Sequence, residues 1–160
     1  MLCFIVTYII CYSVNNILYV QNCINVKTKE CDLMKYKYLH TCIRVINLEK
    51  SLKFYKEALG LVETRRKDYP EDEFTLVFLS DEDGKYELEL TYNYNPDKPY
   101  VIGDGFSHIA VSVDDLEASR EKHKEMGYEV TELMGLPGEK PRYYFVTDPD
   151  GYDVEVIRAK

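Results

Sequence analysis

An internal repeat constrains this chain more than any other feature of its sequence. His40 precedes Glu89 by 49 residues, and His108 precedes Glu155 by 47 residues. Each His opens an apolar run, and each Glu lies where acidic and apolar residues alternate, a pattern typical of strands with one buried face. A duplicated unit with one imidazole and one carboxylate per copy predicts a single metal site built from both halves.

The composition allows one domain with a core of its own and argues against nucleic-acid binding. The chain has 160 residues and a formal net charge of -8, which argues against non-specific nucleic-acid binding because that needs basic patches to neutralise phosphates. A local basic pocket for an anionic ligand is still compatible with this charge. Four of the five Cys precede Met34. The fifth, Cys42, begins a predicted strand and is predicted to be a buried small hydrophobe, not half of a disulfide. We therefore expect a cytoplasmic protein.

Residues 1–33 differ from the rest of the chain. The first twenty are apolar and uncharged, yet no Lys or Arg precedes them as in a secretory signal, and polar residues interrupt the run that a membrane span needs. Met34 comes just before a regular strand pattern. We expect Met34 to be the true start and residues 1–33 to be extraneous or poorly packed. A weak membrane anchor is the alternative, and no membrane partner is expected for residues 34–160.

The body divides into two modules, 34–95 and 104–160, joined by a stretch rich in Pro, Gly and Asn. Periodicity predicts the same order of elements, βαβββ, in both. In the first module these are a strand at 39–45, a helix at 48–58 and strands near 61–68, 73–80 and 86–92. In the second they are a strand at 106–113, a helix at 115–126 and strands near 128–132, 142–147 and 152–158. The predicted fold class is α+β.

Turn and cap residues support these boundaries. Asn47 and Asp114 are predicted to cap the starts of the two helices, and Gly60 and Gly127 to end them. Asp83-Gly84 and Asp148-Pro149-Asp150-Gly151 predict turns between strands.

Each candidate ligand is weak evidence alone, because a single strand-start His is usually structural and a Glu on an alternating strand usually faces solvent. Their recurrence at the same places in both modules makes metal binding the better interpretation. Two imidazoles and two carboxylates suit Ni²⁺, Co²⁺, Zn²⁺, Mn²⁺ or Fe²⁺. Two positions of an octahedral ion would stay open for waters or a bidentate substrate, and such an ion stabilises an enediolate as a Lewis acid.

Around these residues the sequence resembles the glyoxalase I family, the lactoylglutathione lyases of the vicinal oxygen chelate superfamily, over residues 36–160. The most specific stretches are Glu89-Leu90-Thr91-Tyr92-Asn93 and His108-Ile109-Ala110-Val111. The resemblance implies the glyoxalase/bleomycin resistance/dioxygenase-like fold. It also implies four metal ligands: His40, Glu89, His108 and Glu155.

The implied reaction isomerises the hemithioacetal of methylglyoxal and glutathione to S-lactoylglutathione through an enediolate, which detoxifies methylglyoxal. Glu155 matches the position of the catalytic base, and Glu89 lies across the substrate from it. Arg44 and Asn93 match residues that hold the glutathione moiety. From the residues alone, Arg44 could also be a surface cation and Asn93 a strand-end cap.

The sequence departs from the family in the loop before the seventh strand. Relatives usually carry a glutathione-binding Lys where this chain has Pro137, and Lys140 or Arg142 could substitute for it. The compact body resembles the branch that prefers Ni²⁺ or Co²⁺, with Zn²⁺ possible. We expect a homodimer, and the sequence leaves open whether one chain or two build the site.

Other functions remain open from the sequence. One is a different vicinal oxygen chelate enzyme, such as an epimerase or a dioxygenase, although a dioxygenase would use three ligands, not four. Another is a non-catalytic binding module, against which the metal quartet counts.

Overall fold

The computed structural model describes residues 34–160, of which Tyr36–Lys160 form one compact unit. The prediction that residues 1–33 pack poorly lies outside the described residues. No helix within 34–160 has both the length and the apolar character that a membrane crossing requires.

The first module is a four-stranded mixed sheet. Its elements are β1 (His40–Arg44), α1 (Leu48–Lys53) with a π-helical turn (Phe54–Ala58), β2 (Val62–Tyr69), a 3₁₀ turn (Pro70–Asp72), β3 (Phe74–Ser80) and β4 (Glu87–Asn93). The strand order is β1-β4-β3-β2, and only β1 and β4 are parallel. The predicted cap is confirmed, because Lys50 N donates to Asn47 Oδ1 at 3.0 Å. Gly60 follows the helix with a φ of +73°, which glycine adopts without strain.

The second module repeats this plan with one regular strand fewer. It contains β5 (Ile109–Val113), α2 (Leu116–Glu125), β6 (Tyr143–Thr147) and β7 (Asp153–Arg158), in the order β5-β7-β6. The helix cap is Asp115, which accepts from Ala118 N at 3.0 Å, so the prediction of Asp114 was wrong by one residue.

The strand predicted near 128–132 is not regular. Within 128–132 its strand pairing with β6 is limited to one isolated bridge, between Val130 and Val146. The Thr131 side chain accepts from Phe145 N at 2.9 Å. In a continuous antiparallel ladder the Phe145 amide would donate to a backbone carbonyl. Here it donates to the Thr131 hydroxyl instead, so the regular strand pairing is interrupted.

Strand alternation divides each module into a buried face and an open face. On β1 and β4 the side chains of Ile43, Leu88 and Leu90 are buried, and His40 and Glu89 lie on the other side. The buried faces of both modules belong to one hydrophobic cluster, to which β6 and β7 contribute Tyr144, Val146, Val154 and Val156. Within residues 34–160, the open faces are therefore the sheet faces left for polar function.

The Asp148–Gly151 turn fastens the two modules together. Tyr55 Oη donates to Asp148 Oδ2 at 2.8 Å, and Ser51 Oγ donates to Asp150 Oδ2 at 3.0 Å. Ile46 N donates to Asp150 Oδ1 at 2.8 Å. Burial raises the pKa of Asp148 above its usual value. These carboxylates satisfy donors of the first module, so the turn is a structural joint.

His123 is a second polar contact between the modules. Its side chain is buried, with Nε2 3.0 Å from the carbonyl oxygen of Ala58 and Nδ1 2.9 Å from Tyr144 Oη. A carbonyl can only accept, so Nε2 carries the proton and Nδ1 accepts from the tyrosine hydroxyl. Burial lowers the pKa of His123 below its usual value of 6.5. The neutral ring is thus the form that the fold requires.

This arrangement predicts a loss of stability in mild acid. Below pH 6.5, His123 becomes protonated in the unfolded chain, whereas in the folded protein it stays neutral down to its lowered pKa. Protonation therefore stabilises the unfolded state, and the free energy of unfolding falls as the pH falls from 6.5 to the folded pKa. His123→Gln should lower the free energy of unfolding by about 1–3 kcal/mol at neutral pH by leaving a buried partner unsatisfied. It should also lose less stability than the wild type on acidification. Urea unfolding followed by tyrosine fluorescence, from about pH 5 to 8, measures both effects.

Ser119→Ala is the matched control. Ser119 Oγ lies 2.8 Å from Tyr144 Oη in the same cluster but does not titrate. The control should keep the pH dependence of the wild type. The same pH dependence in the wild type and in His123→Gln would contradict the assignment.

Candidate metal centre

The first module presents a preformed His–Glu pair on its open face. In the parallel register His40 lies opposite Glu87 and Cys42 opposite Glu89, so His40 and Glu89 are diagonal neighbours. His40 Nε2 lies 3.1 Å from Glu89 Oε2, and the two side chains are 35% and 12% exposed. Thr91 Oγ1 donates to Glu89 Oε1 at 3.0 Å, which leaves Oε2 directed at the imidazole.

The second module presents the equivalent pair. His108 Nε2 lies 3.2 Å from Glu155 Oε2, with side-chain exposures of 34% and 16%. Ser107 Oγ lies 2.8 Å from His108 Nδ1. A partner on one ring nitrogen fixes the ring orientation and leaves the other nitrogen for a ligand.

An aromatic ring supports each imidazole in the same way. Phe78 lies opposite Glu89 in the β3–β4 register, and Phe145 lies opposite Glu155 in the β6–β7 register. The ring centroids of Phe78 and Phe145 lie 5.6 and 5.5 Å from those of their His neighbours, in edge contacts. Sequence analysis missed these residues, although they occupy matching places in the repeat.

The spacing of the donors suits a metal ion. Ligand nitrogens and oxygens lie about 2.0–2.2 Å from ions such as Zn²⁺, so two donors at right angles around one ion are about 3 Å apart. The observed 3.1 and 3.2 Å match that separation, and they also match a direct hydrogen bond. Imidazole and carboxylate without thiolate form a borderline-to-hard donor set. The four residues therefore fit a divalent ion, two in each module.

The described chain does not bring the four residues together. Within 34–160, no three His, Cys, Asp or Glu side chains lie close enough to hold one ion. Both modules turn their apolar faces toward the shared core, so each open face carries its own pair. Each module thus offers half of the predicted quartet, and the complete quartet stays a prediction.

Arg44 and Asn93 meet at a residue that sequence analysis missed. Tyr100, in the linker between the modules, accepts a hydrogen bond from Asn93 Nδ2 at 2.8 Å. The Arg44 guanidinium carbon lies 5.9 Å from the centroid of the same ring. The register of β1 and β4 places both polar residues on the open face. No sequence motif pointed to Tyr100, because its role depends on where the linker passes over the sheet.

Lys140 and Arg142 are exposed in the loop before β6. Arg142 extends the sheet through its backbone, with N donating to Met134 O at 2.7 Å. In the hydrogen bonds and ion pairs of the described residues, neither side chain contacts Arg44 or Asn93. Their part in substrate binding stays a prediction.

The prediction that Cys42 is buried was wrong. Cys42 is exposed on the open face, between His40 and Arg44, with Sγ 3.2 Å from Thr91 Oγ1. Neighbouring atoms that exclude water raise the pKa of its thiol. The alternation of β1 explains the error. Ile43 and Val45 are buried in the core, so the side chain of Cys42 lies on the opposite, open face.

Arg65 organises the outer side of the first half-site. It donates from Nη2 to Glu87 Oε2 at 2.7 Å, and its guanidinium carbon lies 3.3 Å from the centroid of Phe78. This bond is the main reason why the pKa of Glu87 is lowered. The stacked cation holds Phe78, which in turn supports His40.

Comparison with known proteins identifies the family. The model of the Glyoxalase/Bleomycin resistance protein/Dioxygenase superfamily matches residues 37–156. The chain belongs to this superfamily. Lactoylglutathione lyase of Neisseria meningitidis serogroup A is 45% identical over 127 residues, covering 78% of this chain and 91% of the relative. The enzyme of Haemophilus influenzae is 44% identical over 125 residues, covering 76% and 92%.

Solved structures agree with this assignment. The trypanothione-dependent glyoxalase I of Leishmania major superposes with a TM-score of 0.69 at 37% identity, covering 78% of this chain and 87% of that one. Glyoxalase I of Zea mays gives a TM-score of 0.71 at 36% identity, covering 77% and 44%. The predicted α+β fold, the resemblance to glyoxalase I and the prediction of an enzyme with lactoylglutathione lyase activity are confirmed.

The paired geometry predicts that both modules are needed for tight metal binding. His40→Gln and His108→Gln should each weaken affinity for Ni²⁺ or Co²⁺ by more than about 100-fold, because ligand loss costs more than loss of a supporting residue. Ser107→Ala keeps all four donors and should cost only about 10-fold. Competition with a chromophoric chelator measures all three. Unchanged affinity in either His variant would remove that residue from the ligand set.

Proposed function

We propose that this protein isomerises the hemithioacetal of methylglyoxal and glutathione to S-lactoylglutathione, using one divalent ion held by His40, Glu89, His108 and Glu155. One observation carries the proposal. Equivalent His–Glu pairs, with donors 3.1 and 3.2 Å apart, lie on the open faces of two related modules. They do so in a chain that is 45% identical to a lactoylglutathione lyase.

The donor set suits Ni²⁺, Co²⁺ and Zn²⁺ alike. Ni²⁺ or Co²⁺ is the proposed ion because the compact body resembles the branch of the family that prefers these two. When bound, such an ion supplies Lewis-acid stabilisation of the negative charge that develops on the substrate oxygens. The four protein ligands would leave positions for the two neighbouring oxygens of the hemithioacetal. The edges of Phe78 and Phe145 flank the two imidazoles and would limit the access of water.

Glu155 is the proposed base. Its carboxylate takes the proton from the carbon that bears the sulfur, and the electron pair left behind forms the enediolate of the substrate. The proton then returns to the neighbouring carbon. The hydroxyl on the first carbon loses its proton and becomes the thioester carbonyl, the ketone oxygen on the neighbouring carbon gains a proton and becomes a hydroxyl, and no other reactant is consumed. The open faces differ in a way that supports this choice. Thr91 already donates to one oxygen of Glu89, whereas no hydroxyl among the described residues donates to Glu155.

The thiol arm is proposed to lie along the first module. Arg44 would pair with a glutathione carboxylate in a bidentate manner, and within residues 34–160 no carboxylate lies within ion-pair distance of its guanidinium. Asn93 lies on the same open face at the end of β4. Glutathione has a second carboxylate, for which Lys140 and Arg142 are the proposed partners.

A homodimer would complete the site. Each chain offers one half-site per module, and their buried faces already share a core. A two-fold interface pairs the same surfaces in both directions. The first open face of one chain would therefore meet the second open face of its partner, and the dimer would contain two equivalent four-ligand sites.

Subunit mixing tests this arrangement. Glu89→Gln and Glu155→Gln each damage both sites of their own dimer, but a mixed dimer contains one doubly damaged site and one intact site. Unfolding and refolding an equal mixture should restore about a quarter of wild-type activity, because half of the dimers are mixed and half of their sites are intact. A site within one chain would give no recovery.

The base assignment predicts a defect in turnover. Glu155→Gln should lower kcat by about 10²–10⁴-fold, with a much smaller change in KM, in assays with methylglyoxal and glutathione after reconstitution with Ni²⁺. Glu117→Gln is the matched control, since Glu117 lies on α2 and pairs with Arg158, outside both His–Glu pairs. Full activity of Glu155→Gln would remove the base assignment. A wild-type protein that is inactive with Ni²⁺, Co²⁺ and Zn²⁺ would remove the proposed function.

A further inference from the structure

Tyr100 joins the two residues that are proposed to hold the thiol arm. Its hydroxyl oxygen accepts from Asn93 Nδ2 at 2.8 Å, and its ring lies 5.9 Å from the Arg44 guanidinium carbon. Tyr100 lies in the linker, separate from both His–Glu pairs. Tyr100 is therefore neither one of the predicted metal ligands nor the proposed base.

The hydrogen bond determines how the Asn93 amide can act. An amide has two donors on nitrogen and an acceptor on oxygen. Because Nδ2 is directed to Tyr100, the amide plane is fixed and Oδ1 is turned away from the tyrosine. No hydrogen bond to Oδ1 is present among residues 34–160. A fixed and open carbonyl oxygen is suited to accept from an ammonium group.

The ring contributes differently to Arg44. An aromatic face attracts a guanidinium without using its N–H groups, so those donors stay available for a carboxylate. Tyr152 Oη donates to the backbone oxygen of Arg44 at 3.2 Å and steadies the strand at this point. The Arg44 guanidinium is thus held in place while its N–H groups stay available for a carboxylate.

The linker that carries Tyr100 is itself anchored. Ile102 and Phe106 pack against the hydrophobic core, and the Phe106 ring meets Tyr152 edge-on at 5.6 Å. Together with Cys42 and Arg44, these side chains line a groove of about 290 Å³. Tyr100 is therefore positioned by packing on its C-terminal side, so its hydroxyl can orient Asn93.

We infer that Tyr100 is a positioning residue for the amino-acid end of the thiol. It holds the Arg44 guanidinium for the α-carboxylate and the Asn93 carbonyl oxygen for the α-ammonium. This inference rests on the proposed function, because the γ-glutamyl end of glutathione is the amino-acid group concerned. It adds a residue from the linker to the Arg44–Asn93 part of the proposed site, which otherwise comes from β1 and β4.

Removal of the hydroxyl alone is the sharpest test. Tyr100→Phe keeps the ring over Arg44 and loses the hydrogen bond to Asn93. It should raise the inhibition constant of S-hexylglutathione and the KM of the hemithioacetal by about 3–10-fold, as expected for one neutral hydrogen bond, with kcat within about two-fold. Tyr100→Leu also loses the ring and should raise both further.

A modified ligand separates positioning from general damage. N-acetyl-S-hexylglutathione lacks the ammonium group, so Tyr100→Phe should change its inhibition constant by less than about two-fold. Tyr86→Phe is the matched control, because Tyr86 is exposed and its ring contacts Tyr38, away from the Arg44–Asn93 cluster. It should leave all these constants unchanged.

The outcomes distinguish this inference from the function on which it rests. An unchanged inhibition constant for S-hexylglutathione in Tyr100→Phe, or an equal loss for both ligands, would overturn the positioning role while wild-type turnover remained. Failure of the wild-type protein to convert the hemithioacetal would instead overturn the proposed function.

Discussion

The rest of this structure depends on how two modules bury their apolar faces in one core. Each strand gives alternate side chains to that core, so the remaining side chains must lie on the open face. Tyr55 and Asp148 reinforce the joint by a buried hydrogen bond of 2.8 Å. With the modules held in this way, the position of every polar side chain on β1, β4, β5 and β7 follows from its place in the alternation.

The geometry of the two His–Glu pairs follows from this burial of the apolar faces. His40 and Glu89 come together because parallel neighbouring strands carry them on one face, and His108 and Glu155 repeat the arrangement. The same burial keeps the two pairs apart within a chain, since both open faces point away from the shared core. The proposed composite site between subunits would resolve this separation without any change in the modules.

The two half-sites are equivalent in their ligands but not in their surroundings. Thr91 and the Arg65–Glu87 pair surround the first, and Ser107 supports the second. Arg44, Asn93 and Tyr100 extend only the first open face. The proposed metal centre would thus be nearly symmetrical, with a binding groove on one side. That asymmetry would suit a substrate with its reacting carbons at one end and its peptide arm at the other.

The repeat, the helices with the Asn47 cap and the Gly60 end, and the two His–Glu pairs could all be predicted from the sequence, because period, turn chemistry and spacing are local properties. Prediction failed where a contact distant in sequence decided the outcome. Thr131 interrupts a strand by bonding to Phe145, and Tyr100 joins Arg44 to Asn93 only because the linker crosses the open face. Even Cys42 was misplaced, although the alternation that exposes it is local. The separation of the four predicted ligands into two pairs could not be read from the sequence, because the packing of one module on the other sets the direction in which each open face points.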